Sequence, residues 1–230
     1  MRVTRRSRPR RVQEQHSCDR PTLPPYTLHD RPRPPVAGVQ AFYHVACMGN
    51  WREVFAEQMD VFDQVGLKPM CFVLGGDSDR QFIEQRATVL GNQPNLGWYE
   101  TPTLDELHKW CYSNLDCGVL YCHTKGVSKP WNTSASDWRR HMTDRVIDQW
   151  RANAEYLAEH DVVGTAFSTY VGMFHFQGNF WMSRADWCAR LDPPWMHRDN
   201  HIGRGWFRSG KRFHAECWLM SKNYYHHKEV

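Results

Sequence analysis

Short apolar segments alternate with amphipathic helical segments along most of this chain, and that alternation restricts its fold more than any other feature. Residues 39–46, 70–74 and 117–122 are apolar runs of strand length. Residues 50–65 carry apolar side chains at helical spacing between the first two runs. Strands that alternate with helices are typical of a parallel sheet covered by helices. We therefore expect an α/β fold, with a mixed, mainly parallel sheet flanked by helices in a single domain.

Further segments extend this predicted pattern. We expect a short third strand at 96–99, a helix at 103–115 that opens with a capping box of Thr103 and Glu106, a long helix at 136–160, a strand at 162–164 and a short helix at 183–191. Asn50 can cap the first helix, and Gly66 is expected to end it.

Sheets of this kind bind ligands beyond the carboxyl ends of their strands. The loops that follow the predicted strands are therefore the expected location of a functional site. They come after Ala46, Leu74, Tyr121 and Gly164.

The N-terminal segment differs in composition from the rest of the chain. Residues 1–35 contain nine Arg, no Lys and three acidic residues, a net charge of +6, so residues 36–230 carry −2 of the total of +4. Proline and repelling arginines prevent a packed core, which predicts a disordered tail at 1–35 and a folded domain at 36–230. The tail is either a solvated extension or an arm that targets an acidic surface. The nearly neutral body argues against a nucleic-acid partner for the folded part.

Cysteine usage and hydropathy bear on location. The eight cysteines lie at 18, 47, 71, 111, 117, 122, 188 and 217, without a C-x2-C pair and mostly within apolar runs. This pattern favours buried thiols in a reducing compartment over a disulfide framework or a zinc site. No stretch has the roughly 18 apolar residues of a membrane span, and the first thirty residues are too polar for a secretory signal. We expect a cytoplasmic protein with no transmembrane segment.

The most informative motif follows the apolar run at 117–122. It places His123, Thr124, Lys125 and Gly126 at the expected ligand-binding edge of the sheet. A lysine cation, a hydroxyl donor and a glycine that allows close backbone approach can hold phosphate oxygens or a metal-bound diphosphate. The alternative is a loop whose polar side chains are merely solvated.

A second motif, at 174–181, alternates polar and aromatic residues. In a strand, His175, Gln177 and Asn179 would share one face, beside Gly178 and the ring of Trp181. Amide and imidazole groups next to aromatic rings suit a sugar, which offers hydroxyls and C–H faces. The alternative is an aromatic core strand with one polar edge.

Two acidic sites are also candidates. Asp77 and Asp79 could bind Mg²⁺ or Mn²⁺ through carboxylate oxygens, or Asp77 could cap a helix that starts near Arg80. Glu216 lies in a cationic, aromatic stretch at 198–218, where it could act as a general base or form a structural ion pair.

The order and spacing of four motifs resemble a known family. They are L-Y-C-H-T-K-G at 120–126, D-W-R at 137–139, H-F-Q-G-N-F-W at 175–181 and E-C-W at 216–218. Similar motifs recur in small glycosyltransferases with a GT-A-type, Rossmann-like fold, which occur alone or fused in multidomain enzymes of algal viruses and bacterial polysaccharide loci. The resemblance extends from about residue 42 to residue 218 and excludes the tail.

This resemblance implies the transfer of a sugar from a nucleotide-diphosphate sugar to a hydroxyl of a glycan or polysaccharide. It implies that Gly75–Asp79 faces the nucleotide and that His123, Thr124 and Lys125 stand where GT-A enzymes present a D-x-D metal site. No acidic pair stands there in this chain. Met182 is a second departure, because many relatives have tryptophan, and it indicates a changed sugar pocket.

The resemblance also assigns candidate roles. The diphosphate would contact His123, Thr124, Lys125, Gly126, Asp77 and Asp79, with Arg204 or Arg208 in support, and the sugar would contact His175, Gln177, Gly178, Asn179 and Trp181. Glu216 is the first candidate for the general base and Asp199 the second. Asp77, Asp79 and His123 are the candidate ligands of a Mn²⁺ or Mg²⁺ ion. A non-catalytic carbohydrate-binding module and a metal-dependent nucleic-acid enzyme are the alternative functions.

Overall fold

The computed structural model describes residues 33–169, 174–196, 213–222 and 227–230. In chain order, the strands of these residues are β1 (Val39–Ala46), β2 (Met70–Leu74), β3 (Thr88–Gln93), β4 (Gly118–His123), β5 (Val162–Gly164), β6 (Phe167–Ser168), β7 (His175–Phe176), β8 (Trp181–Arg184) and β9 (His227–Glu229). The helices are α1 (Trp51–Val65), α2 (Asp77–Ile83), α3 (Thr101–Tyr112), α4 (Thr133–Met142), α5 (Trp150–Tyr156), α6 (Ala185–Cys188) and α7 (Phe213–Trp218). A π-helical segment, Thr143–Asp148, joins α4 to α5.

A seven-stranded sheet, in the order β3-β2-β1-β4-β8-β5-β9, forms the centre of the molecule. β1 pairs in parallel with β2 and β4, and β2 pairs in parallel with β3. β8 lies antiparallel between β4 and β5, so the start of β8 meets the ends of its two neighbours. The predicted α/β fold with a mixed, mainly parallel sheet is confirmed.

Residues that alternate along β1 separate the core into two layers. Ala41, Tyr43 and Val45 pack with the apolar face of α1, including Phe55. Phe42 points to the opposite face, where it packs with side chains of α3, α6 and α7. Because successive side chains of a strand point to opposite faces, a run that is apolar throughout predicts a strand buried on both sides.

Several predicted element boundaries agree with the structure. The strands at 39–46, 70–74 and 162–164 are confirmed, and Gly66 ends α1 with a left-handed φ of 73°. The structure gives Asn50 no capping bond; its side chain instead donates to Glu53.

The predicted third strand is wrong. Residues 96–98 form a 3-10 turn, in which the Asn95 side chain accepts the Gly97 N–H at 3.0 Å, and the third strand is β3. β3 lies at the edge of the sheet and is largely half-buried or exposed, so its sequence lacks the apolar run that marks β1 and β2.

Three predicted helices also differ. α3 starts at Thr101, and the predicted capping residue Thr103 is a buried helical residue that bonds to His44. The predicted helix at 136–160 begins earlier, at an Asn132 cap, and is interrupted by the π-helical segment. The predicted helix at 183–191 is shortened to α6 because β8 extends to Arg184.

Seven of the eight cysteines lie within the described residues, where none forms a disulfide. Cys71, Cys111, Cys122 and Cys188 are buried in the core. No helix of the described ranges has both the length and the apolar character needed to cross a bilayer.

The last residues of the predicted tail contact the folded body. The Arg33 guanidinium lies 2.7 Å from Asp161, a carboxylate whose side chain is 1% exposed. The Arg33 N–H donates to the Ala158 carbonyl, and the Pro34 carbonyl accepts from Arg184. One of the nine tail arginines therefore neutralises a buried carboxylate.

Replacing Arg33 by alanine leaves the Asp161 carboxylate buried without this partner. We expect R33A to lower the free energy of unfolding by about 3–5 kcal/mol, as for other broken buried ion pairs. Urea denaturation measures the loss. The matched control is R80A, which removes an exposed pair with Glu84 at 2.7 Å and is expected to cost about 0–1 kcal/mol. Equal losses of unfolding free energy in the two variants would contradict a stabilising ion pair between Arg33 and the buried Asp161.

Candidate functional site

The carboxyl ends of β1 and β4 are joined by Thr124. Its N–H donates to the His44 carbonyl at 3.1 Å, and its hydroxyl accepts the Ala46 N–H at 2.9 Å. Thr124 is 3% exposed. The structure thus gives this predicted phosphate ligand a position between two strands, where it fixes the start of the loop that carries Lys125.

A hydrogen bond joins the two main motifs of the sequence. His123 Nε2 lies 2.8 Å from the Gly178 carbonyl oxygen, and β4 pairs with β8 at Tyr121 and Trp181. The end of the first motif and the middle of the second therefore meet at one edge of the sheet.

The second motif is not the continuous strand that we predicted. Residues 177–180 form a turn between β7 and β8, with φ values of 88° at Gly178 and 57° at Asn179. Consequently His175 and Asn179 are buried, whereas Gln177 is exposed. Glycine and asparagine tolerate the left-handed region, which alternation of polarity alone does not reveal.

Glu100, which the sequence analysis missed, lies at the centre of the site. It immediately precedes α3, and its Oε2 accepts bonds from the Tyr121 hydroxyl, at 2.9 Å, and from the Asn179 amide. Its Oε1 lies 3.9 Å from His123 Nδ1. The available signal was an acidic residue directly before a helix start with proline in its first turn.

Trp181 supports this arrangement from the core. Its indole N–H donates to Asn179 Oδ1 at 2.7 Å, and its ring packs against Tyr121 at 5.1 Å. The side chain is 1% exposed, so the described residues leave its ring no open face for the predicted stacking on a sugar. Trp181 instead orients the Asn179 amide.

Burial keeps two histidines of the site neutral. Desolvation, with a contribution from the Lys125 cation, lowers the pKa of His123 to about 4. Desolvation also lowers the pKa of His44 to about 4, despite the opposing effect of Glu100. Near neutral pH, His123 and Glu100 are therefore not an ion pair, although they lie close together.

Glu216, on α7, interacts electrostatically with this group. Burial, assisted by the negative charge of Glu100, raises the pKa of the Glu216 carboxyl, while the Lys125 cation opposes the rise. Glu216, Lys125 and His123 therefore belong to one electrostatic neighbourhood. Asp199, Arg204 and Arg208 lie outside the described residues.

Asp77 and Asp79 lie in the first turn of α2 and are already engaged. Asp79 accepts the Gly76 N–H at 3.1 Å and pairs with Arg52 at 3.1 Å, while Asp77 accepts from Asn92 at 3.1 Å. Gly76, and not Asp77, is the N-cap of this helix. The described residues contain no group of three His, Cys, Asp or Glu side chains that could hold a metal ion. The predicted set of Asp77, Asp79 and His123 thus does not fit a Mn²⁺ or Mg²⁺ site.

The D-W-R motif supports the Lys125 loop. Arg139 is 3% exposed, donates to the Lys125 carbonyl at 3.0 Å and pairs with Glu57 at 3.4 Å. Asp137 is exposed and lies inside α4, in the middle of the helix. Gly126, with a φ of 85°, turns the loop towards α4 at Ala135.

One protein family matches most of the chain. Its model aligns with residues 50–224, about three quarters of the sequence, and is described as a domain of unknown function (DUF8361). The chain belongs to this family. A search of curated proteins and a search of solved structures each gave no significant match. The match to the DUF8361 family includes Lys125, Asn179 and Glu216.

The turn at Gly178 and Asn179 of this DUF8361 domain provides a test of the site geometry. A Cβ on Gly178 would lie 2.5 Å from Met142 Sδ and 2.9 Å from Trp138 Nε1, at a positive φ. We expect G178A to lower the free energy of unfolding by about 1–3 kcal/mol, because the strained turn must shift. Chemical denaturation measures this. The control is G38A, whose Cβ meets nothing within 4 Å, and a G178A variant as stable as G38A would disprove the assigned turn geometry.

Proposed function

We propose that this DUF8361 domain is a GT-A-type glycosyltransferase that moves a sugar from a nucleotide-diphosphate sugar to a hydroxyl acceptor. The observation that carries the proposal is the hydrogen bond between His123 and Gly178, which brings the loop of Lys125 next to the turn at residues 177–180. A cation beside side chains that can hydrogen-bond to hydroxyls suits a ligand in which phosphate and sugar are directly linked. The four motifs that resemble this enzyme family support the same conclusion.

Lys125 is the group proposed to stabilise the departing diphosphate. Cleavage of the sugar–phosphate bond develops negative charge on the diphosphate oxygens, which a fixed cation stabilises. Arg139 anchors the Lys125 carbonyl and thereby restricts the loop, so less ordering is required at the moment of reaction. No step is assigned to a metal ion, since Asp77 and Asp79 are engaged by protein groups.

Glu216 is the proposed general base. For an inverting transfer, a carboxylate accepts the proton of the acceptor hydroxyl as that oxygen attacks the sugar carbon. Burial raises the pKa of Glu216, which makes its carboxylate a stronger base than an exposed glutamate. The Lys125 cation is near enough to act on the same carboxylate, so base and leaving-group stabiliser share one site.

A thermal-shift screen tests the donor class. The panel contains UDP, GDP, dTDP and their hexose conjugates, each with and without Mn²⁺, because a ligand that binds only the folded state raises its melting temperature. A lack of any shift with the entire panel would overturn the proposed function. Binding of a conjugate without transfer or donor hydrolysis would instead indicate a carbohydrate-binding module.

Replacing Lys125 by methionine removes the proposed diphosphate contact. We expect K125M to weaken diphosphate binding on the order of tenfold to a hundredfold, because a charge-assisted hydrogen bond is lost. Isothermal titration calorimetry measures the affinity. K129M is the matched control, since Lys129 is exposed on the same loop, and it is expected to bind like the wild type. Equal losses in both variants would point to general loop charge and would contradict a specific role for Lys125.

Replacing Glu216 by glutamine removes the proposed base. We expect E216Q to lower kcat on the order of a hundredfold to ten-thousandfold and to retain donor affinity. In the wild type, kcat should fall as the pH decreases through the pKa of Glu216, which lies above the ordinary glutamate value. Turnover across a range of pH measures both effects. Near-normal turnover of E216Q would exclude Glu216 as the base.

The proposed acceptor is a glycan or polysaccharide hydroxyl, and a cytoplasmic location remains a prediction from the cysteine pattern. A metal-dependent nucleic-acid enzyme is the less favoured alternative. It would require steeply salt-dependent binding of DNA or RNA to residues 36–230, which carry a net charge of −2.

A further inference from the structure

Two hydrogen-bond acceptors face each other beside the turn at Asn179. His123 Nδ1 and Glu100 Oε1 lie 3.9 Å apart, and their side chains are 13% and 12% exposed. This separation exceeds the roughly 2.7–3.2 Å of a direct hydrogen bond. Both groups are largely removed from water, so an unfilled acceptor here is costly.

The Gly178 carbonyl determines which nitrogen of His123 carries the proton. A carbonyl oxygen only accepts, so the 2.8 Å contact requires a hydrogen on Nε2. Burial lowers the pKa of His123 to about 4, and the ring is therefore neutral near pH 7. The remaining nitrogen, Nδ1, presents a lone pair towards Glu100.

The indole of Trp181 determines the direction of the neighbouring bonds. An indole N–H can only donate, so the atom of Asn179 that receives it is the amide oxygen. The Asn179 nitrogen then donates to Glu100 Oε2, which also receives the Tyr121 hydroxyl. Within the described residues, no hydrogen bond reaches Glu100 Oε1. Both facing atoms, Oε1 and Nδ1, are thus acceptors that require donated hydrogens.

We propose that Glu100 Oε1 and His123 Nδ1 form a hydroxyl-recognition subsite for the sugar ring of the donor. The inference rests on the proposed function and specifies which groups read the sugar. Two hydroxyls on adjacent ring carbons, each donating its one hydrogen, supply the two hydrogens that these acceptors require. Lys125 follows His123 by two residues, and the diphosphate of the donor is bonded directly to its sugar, so neighbouring groups of one loop contact neighbouring parts of one ligand.

The Glu100→Gln variant tests the subsite. Glutamine retains the size of the side chain, and its oxygen can still accept from Tyr121 and Asn179. Its amide nitrogen would then face His123 Nδ1 as a donor and take the place of the sugar hydroxyl. E106Q is the matched control, because Glu106 lies on the same helix and contacts Lys109 at 2.8 Å at the protein surface.

Calorimetry on UDP, GDP and dTDP and on UDP-glucose, GDP-mannose and dTDP-rhamnose measures the sugar's contribution to affinity. For the conjugate that the wild type binds, we expect E100Q to weaken affinity on the order of tenfold to a hundredfold, with the bare diphosphate unaffected. E106Q should change neither affinity. Unchanged conjugate affinity in E100Q, or an equal loss for conjugate and diphosphate, would overturn the subsite and leave the proposed function standing.

A second measurement leaves the protein unaltered and so does not depend on how E100Q folds. Deoxyfluoro analogues of the bound conjugate replace one hydroxyl at a time by fluorine, which cannot donate a hydrogen bond. We expect two adjacent positions each to lose on the order of tenfold to a hundredfold in wild-type affinity. Equal affinity for every analogue would overturn the subsite. A wild type that binds neither diphosphates nor conjugates would overturn the proposed function itself.

Discussion

The bond from His123 to the Gly178 carbonyl is the contact on which the candidate site depends. It joins the end of β4 to the turn that precedes β8. These two neighbouring strands run in opposite directions. The bond requires a neutral ring with hydrogen on Nε2 and a turn with positive φ at Gly178 and Asn179. Both conditions arise from burial and tight packing, so the core of the domain determines the chemistry available at its edge.

A chain of hydrogen bonds runs from the buried Trp181 to the carboxylate of Glu100. Trp181 orients Asn179, and Asn179 and Tyr121 both donate to Glu100. A carboxylate accepts only, and hydrogen bonds to a charged acceptor are stronger than neutral ones. The network therefore stabilises one orientation of Glu100, in which its second oxygen faces His123. Because this arrangement is already rigid, less conformational entropy is lost when a ligand binds.

The sequence predicts the parts of this structure that local patterns encode. The runs that became β1 and β2 are apolar because both faces of each strand are covered, and Gly66 ends α1 because it can adopt a left-handed conformation. β3 escaped detection because it is an edge strand with a mixed pattern. Glu100 escaped because its role arises from contacts with residues 21 and 79 positions away, which no local spacing reveals.

In the proposed function, the two carboxylates of the site have different tasks because their surroundings differ. Glu100 receives two hydrogen bonds on one oxygen, so its position is fixed and it is suited to recognising a ligand. Burial instead raises the pKa of Glu216, which suits a group that accepts a proton during turnover. The charge of Glu100 itself contributes to that rise. Under the proposed function, the residue that positions the sugar therefore also raises the basicity of Glu216, and recognition of the donor would be coupled to activation of the acceptor.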